Sequence, residues 1–330
     1  MAVIETASLT KRYGSVTAVR SLDLAVERGE VFGFLGPNGA GKSTTIDLLL
    51  GLAEPTGGTV RVLDRDPWVD SRAVRQRVGA VAEGTGFYDR STARDHLRLA
   101  VEMQRTDEDP AALLERVGIG AAADRPVGEF STGMRQRLAL AVALVGEPEL
   151  LVLDEPLAGL DPEGARRVRR VIREERDRGA AVFLSSHITG QVETLCDRLG
   201  VLHEGELVAV DTVAGLRERV DGRAEHVVVA TEVPEDVDPG VGDGVLGVGR
   251  DDGHVRVRCV DAAATGPVAT RLTDAGATVT RVGQAGPSLE QLFVELTDAA
   301  APRDGTGRAA GGTTEGADAT AGADAGGTER

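Results

Sequence analysis

A chain of 330 residues with a net charge of −16 at pH 7 and 41% hydrophobic content has room for one large globular unit, a small one and loose ends. The excess acid argues against nucleic acid or an anionic lipid surface as the main partner. No stretch comes near the ~18 uncharged apolar residues that a membrane helix needs, and Met1, Ala2, Val3, Ile4 and Glu5 show no secretory signal, so a soluble, cytosolic chain is expected.

Apolar and polar residues alternate over 1–33, as in Leu22, Asp23, Leu24, Ala25 and Val26, which predicts antiparallel strands. Val31, Phe32, Gly33, Phe34 and Leu35 make a continuous apolar run of the kind buried in a parallel sheet. A glycine loop and a helix over 42–52 follow. From 72 to 117 the pattern is largely helical, clearest at 94–103 and 110–117. A helix over 133–145, a buried strand at 150–153, a charged helix over 166–178 and a third core strand at 181–185 complete the series. This alternation implies an α/β domain over 1–220 with a helical insertion at about 84–145.

Composition shifts near 216–222. From 221 to 297 a small α/β unit is expected, with strands near 226–230, 244–248, 254–260 and 278–282 and helices over 264–275 and 289–296. Asp251, Asp252 and Gly253 suit a hairpin turn within it. Residues 298–330, rich in Gly, Ala, Thr and Asp without periodicity, are expected to be a disordered tail. Two cysteines, Cys196 and Cys259, cannot build a disulfide framework in so long a chain and read as buried thiols.

The chemistry concentrates in two places. Gly36, Pro37, Asn38, Gly39, Ala40, Gly41, Lys42 and Ser43, with Thr44 after them, fit the phosphate-loop pattern G-x4-G-K-[ST]. Such a loop needs small or absent side chains so that successive backbone N–H groups point at phosphate oxygens, and the following helix aims its positive end at the same spot. Lys42 is one of only two lysines, with Lys11, and is positioned to neutralise phosphate charge while Ser43 offers a hydroxyl to Mg2+. The second place is Leu150, Leu151, Val152, Leu153, Asp154, Glu155 and Pro156, a buried strand ending in two acids. Asp154 is the candidate for the Mg2+ shell and Glu155 for the base that accepts a proton from attacking water.

With these motifs in place, Phe130, Ser131, Thr132, Gly133 and Met134 resemble the signature of ATP-binding subunits of ABC transporters, and the resemblance runs from residue 3 to about 215 with every motif in order. Ala158, Gly159, Leu160 and Asp161 match the family's D-loop, His187 its switch histidine, and Tyr13 the aromatic that stacks on adenine. Segments 11–45 and 151–162 resemble the drug and sodium exporter branch, as do Ser288, Leu289, Glu290, Gln291, Leu292 and Phe293. The resemblance implies a P-loop NTPase of ABC type with an antiparallel β-subdomain and helical insertion, plus the small C-terminal α/β domain. It implies ATP and Mg2+ as cofactors, ATP hydrolysis, a second ATPase subunit (a homodimer in the simplest case) and a membrane permease in trans. Ser131 and Gly133 would then reach the γ-phosphate held by the other subunit, and the chain would sit peripherally on the inner face of the cell membrane. A non-transport ABC ATPase is the alternative. It is disfavoured by a single ATPase half, by the short distance from phosphate loop to signature, and by the acidic charge.

Two departures stand out. Thr132 puts a side chain where the family prefers glycine, and Glu83 replaces the usual Q-loop glutamine, offering either a Mg2+ ligand beside the phosphates or merely a loop acid. Phe87 and Tyr88, after Gly84, Thr85 and Gly86, are expected on a loop, either tucked into the insertion or offered to a permease. His96, His203, His226 and His254 show no metal spacing and read as structural or surface residues.

Overall fold

The computed structural model describes residues 2–82, 84–187, 195–219, 225–234, 238, 243–251 and 254–285. The alternating N-terminal residues form β1 (Ala2–Tyr13) and β2 (Val16–Glu27), paired antiparallel with Tyr13 opposite Val16. After β3 (Val31–Leu35) and α1 (Lys42–Leu49), β4 (Gly57–Val62) joins the other edge of β1, giving the order β2-β1-β4. The helix α1 stops short of residue 52 because the chain turns at Gly51, whose φ is 61° and whose Cβ would come 1.9 Å from the Pro67 carbonyl.

The central sheet has the order β5-β6-β7-β3-β8-β9, built from β5 (Val78–Val81), β6 (Leu150–Asp154), β7 (Ala181–Ser186), β8 (Arg198–His203) and β9 (Glu206–Thr212). All its pairs are parallel except β8 with β9. Every residue of β3, β6 and β7 is buried, which is why these strands read as unbroken apolar runs. Phe32, Phe34, Leu150, Val152 and Phe183 face Ile46 and Leu49 of α1 and Ile4 and Leu22 of the first sheet. Phe32 stacks on Phe183 at 5.9 Å. Val31, Leu35, Leu151, Leu153, Val182 and Leu184 pack in a second cluster that includes the insertion. Each such side chain contributes about 1.5–3 kcal/mol of burial.

The stretch 72–117 is not uniformly helical. After α2 (Ser71–Arg75) it contains β5, which pairs with β6 from Val78 opposite Leu150 to Val81 opposite Leu153. Four residues are too few for a periodicity to declare itself. Gly79 is needed there because a Cβ would meet the Ala143 carbonyl at 1.9 Å.

The insertion carries α3 (Ala93–Gln104), α4 (Pro110–Arg116) and α5 (Thr132–Ala143). Thr92 and Asp95 cap α3 with a reciprocal capping box; Asp109 caps α4, with Pro110 at its first turn. Arg116 ties α4 to α6 (Pro162–Asp177), lying 3.1 Å from Glu174 and 2.7 Å from the buried Glu175, which Arg178 also holds.

After α7 (Val213–Arg219), β10 (Glu225–Thr231), β11 (Val245–Asp251), β12 (His254–Cys259) and β13 (Thr278–Ala285) form an antiparallel sheet of order β11-β12-β10-β13. The helix α8 (Ala262–Asp274) covers one face through Val268 and Leu272, against Val228, Ala230, Val255 and Val257. The strands flanking the expected hairpin pair with Asp251 opposite His254; Asp252 and Gly253, the expected helix 289–296 and the tail lie outside the described residues. Cys196 and Cys259 are free and buried, and burial pushes both thiols up. Among the described residues no helix is long and apolar enough to cross a membrane.

Candidate nucleotide-binding site

The end of β3 delivers the chain into a loop that needs glycine at its tightest points. At Gly36 a Cβ would stand 2.7 Å from the Leu202 carbonyl, and at Gly41, with φ 106°, 2.3 Å from the Ala18 carbonyl. Gly39 also lies at positive φ, 84°. Ala40 donates its N–H to Pro37 O at 3.2 Å, and α1 begins at Lys42. The Lys42 side chain is buried, and its Nζ donates to Gly36 O at 2.7 Å and Pro37 O at 3.2 Å, 3.9 Å from Glu155 Oε1.

The two acids leave the end of β6 in different conformations. Asp154 is buried and accepts from Ser43 Oγ at 3.2 Å through Oδ2, while Ser185 Oγ on β7 donates to its Oδ1. Ser185 also accepts the Glu155 N–H at 3.1 Å, so one buried hydroxyl fixes both acids. Glu155 itself has φ 47°, a left-handed conformation that costs a non-glycine residue about 1–2 kcal/mol. Its carboxylate takes a hydrogen bond from His187 Nδ1 at 2.8 Å, and its carbonyl accepts Gln136 Nε2 at 3.4 Å. Asp47, one turn along α1, has its carboxyl pushed up by burial and then by the charge of Asp154.

The phosphate loop, Ser43, Thr44, Asp154, Glu155 and His187 thus line a single cleft of about 740 Å³. Thr132, Arg135 and Gln136 of the signature helix line it too. Ser131 is the N-cap of α5, its Oγ accepting Met134 N–H at 3.2 Å, and Asp161 is the N-cap of α6, accepting Gly164 N–H at 2.6 Å. Both motif residues therefore also hold helix ends. The unusual Thr132 fills a space against the D-loop: a Cβ on Gly159 would lie 3.2 Å from Thr132 Cγ2, and one on Gly133 would lie 3.3 Å from Gly159 O.

Tyr13 is half exposed at the end of β1 and is not among the described residues lining the cleft; Lys11 Nζ stands 4.9 Å over its ring while donating to Glu54 O at 2.6 Å. Glu83 lies outside the described residues. The aromatic pair divides. Phe87 packs against the insertion, edge-on to His96 at 5.2 Å, whereas Tyr88 is 74% exposed. His96 holds the loop between them, accepting Tyr88 N–H at Nε2 (3.0 Å), which leaves Nδ1 to donate to Thr92 O at 2.7 Å. Asp89 pairs with Arg135 at 2.8 Å.

Sequence reasoning missed Ser185 and Gln136 as supports of the acids. Among the described residues no three His, Cys, Asp or Glu side chains gather to hold a metal. The hydroxyl of Ser43 beside the Asp154 carboxylate offers two hard oxygens, a donor set that fits Mg2+, which keeps several waters and takes its remaining oxygens from phosphates.

Comparison with known proteins identifies the family. The family described as ABC transporter matches residues 19–158. The bacitracin transport ATP-binding protein BcrA of Bacillus licheniformis is 42% identical over 209 residues, covering 62% of this chain and 68% of that protein. A fluoroquinolones export ATP-binding protein of Mycobacterium tuberculosis is 39% identical over 218 residues, covering 65% and 72%. A solved ATP-binding subunit of an ABC transporter superposes with a TM-score of 0.61 at 30% identity, over 66% of this chain and 92% of that one.

Proposed function

Because the chain belongs to the ABC transporter family of ATP-binding subunits, we propose that it binds ATP with Mg2+ between two copies of itself and hydrolyses it to drive export through a separate membrane permease. One observation carries the catalytic part: Lys42, Ser43, Asp154, Glu155 and His187 converge on one cleft. Mg2+ would supply positive charge that offsets the charge of the phosphates. Lys42 and the backbone N–H groups of 38–44 would bind the phosphates, and Ser43 and Asp154 would hold the ion. The Glu155 carboxylate takes the proton from water as that water attacks the γ-phosphorus and the bond to ADP breaks. His187, donating to Glu155 Oε1, aims the carboxylate. Tyr13 offers a stacking face to adenine, Glu83 offers an oxygen to the ion, and Ser131 and Gly133 present the start of α5 to the γ-phosphate of the partner copy.

The permease reading has support of its own. Tyr88 on the loop and Leu99 and Met103, one turn apart on α3, are all exposed, an apolar row suited to receive a short helix. Export is supported by the relative named for fluoroquinolone export, and a chain that drives a permease in trans would sit on the inner face of the membrane. We assign 1–220 to the ATPase, 221–297 to an accessory domain and 298–330 to a tail. The test is Glu155→Gln: turnover should fall roughly 10²–10⁴-fold with ATP binding retained, and an ATP-bound dimer should appear on size exclusion. Near-normal hydrolysis would remove Glu155 from the role.

A further inference from the structure

Glu155 has φ 47°, so where its carboxylate points depends on what holds its backbone. On one side its N–H donates to Ser185 Oγ at 3.1 Å. On the other its carbonyl accepts two donors, Ala158 N–H at 3.1 Å and Gln136 Nε2 at 3.4 Å. The Ala158 bond closes a turn within the same segment, whereas Gln136 reaches in from α5, 19 positions earlier. Thr132 precedes Gln136 by four residues and shares its face of the helix. It bears on the same loop, since a Cβ on Gly159 would stand 3.2 Å from Thr132 Cγ2. Beside it, a Cβ on Gly133 would stand 3.3 Å from both Gly159 O and Leu160 Cδ2. The start of α5 therefore touches the loop 155–159 at both of its ends. Further along, Leu138, Leu140 and Ala141 pack the helix into the core.

We propose that Thr132 and Gln136 are positioning residues through which α5 aligns the Glu155 of its own chain when the start of the helix seats the partner copy's γ-phosphate. The inference rests on the dimer reading above, in which Ser131 and Gly133 face the partner's nucleotide. A phosphate seated at the start of α5 shifts its first turn, and Gln136 and Thr132 carry that shift to the Glu155 carbonyl and to Gly159. Ser185, buried on β7, keeps the Glu155 N–H fixed, so the residue turns about that point and its carboxylate moves with it. The base of one site is then set by the nucleotide of the other, by a route that runs within a single chain.

The test separates the two chains of the dimer. A limiting amount of active full-length chain is mixed with a large excess of Glu155→Gln chain, so that active copies pair with inactive partners, and ATP turnover is read per active copy. Gln136→Met keeps the side chain's length and helical preference but cannot donate a hydrogen bond. On the active chain it should lower kcat roughly ten- to a hundred-fold, the scale of a slightly misplaced catalytic group, with little change in KM for ATP. That loss should exceed, by about ten-fold or more, the loss caused by the same substitution on the Glu155→Gln chain. Equal losses, or a larger loss from the inactive chain, would assign Gln136 to the partner's nucleotide and overturn the proposal, as would wild-type kcat with Gln136→Met on the active chain. On the active chain Thr132→Ala, which removes the methyl, should also slow turnover, and Thr132→Val, which keeps it, should restore the rate; equal rates would take Thr132 out of the route. The parent reading fails differently: a rate per active copy indifferent to the excess chain would overturn the dimer, and brisk turnover by the Glu155→Gln chain alone would overturn the base.

Discussion

Ser185→Ala tests whether one buried hydroxyl organises both acids. The fully buried Ser185 donates to Asp154 and accepts from Glu155 N–H. Alanine removes a bond to a charged group, about 1.5–3 kcal/mol, and strands a backbone donor, about 1–3 kcal/mol. Partial hydration of the gap reduces the sum, so a loss of about 3 kcal/mol is expected, about 6–10 °C in Tm. Loosening Asp154 should also raise the Mg2+ concentration for half-maximal hydrolysis roughly ten-fold, as loss of a ligand's supporting hydrogen bond does elsewhere. Binding of a fluorescent ATP analogue without Mg2+ should stay unchanged. Urea unfolding and a Mg2+ titration of ATPase rate read the two effects separately. A stability change below about 1 kcal/mol with a wild-type Mg2+ curve would refute the reasoning.

Arg77, and then Arg28, hold Glu149 down at about 2, so its contribution is present above the usual carboxylate range and lost as pH falls toward that value. Glu149→Gln should cost about 1 kcal/mol at neutral pH after allowing for solvent screening; in urea melts that cost should shrink near pH 3.5, and a pH-independent difference would contradict it. Tyr88→Ala should leave the melting temperature unchanged but reduce copurification with the permease, whereas Phe87→Ala should lower stability by about 1–2 kcal/mol; wild-type copurification of the Tyr88 variant would place the contact elsewhere. If Glu83 reaches the ion, Glu83→Ala should weaken the Mg2+ dependence of hydrolysis and Glu83→Gln should remain active, so two wild-type titrations would make it an ordinary loop acid.

The features legible in the sequence were those with a strict local requirement. Gly36 and Gly41 face carbonyls that exclude a side chain, and β3, β6 and β7 are buried on both faces, so pattern and structure coincide. Ser185 was invisible because a serine ending a strand carries no linear signal; its meaning comes from β6 lying alongside, with Asp154 opposite Ser185. Likewise β5 was lost inside a helical stretch, since its partner β6 lies about 70 residues downstream and cross-strand pairing leaves no periodicity in four residues. The division of Phe87 from Tyr88 depended on His96, whose two ring nitrogens bridge the loop and α3 in a way spacing alone does not announce.

The backbone geometry at the acids and the caps has a consequence for relatives that have lost activity. Ser131 and Asp161 each cap the start of a helix, so an inactive descendant would keep them for folding alone, and their survival says little about turnover. Glu155 is different, because its left-handed backbone destabilises the fold and a glycine or asparagine would sit there more comfortably. Once hydrolysis no longer matters, drift should replace Glu155 early and the two caps late. A glutamate retained at that position is therefore a better mark of a working ATPase than an intact signature.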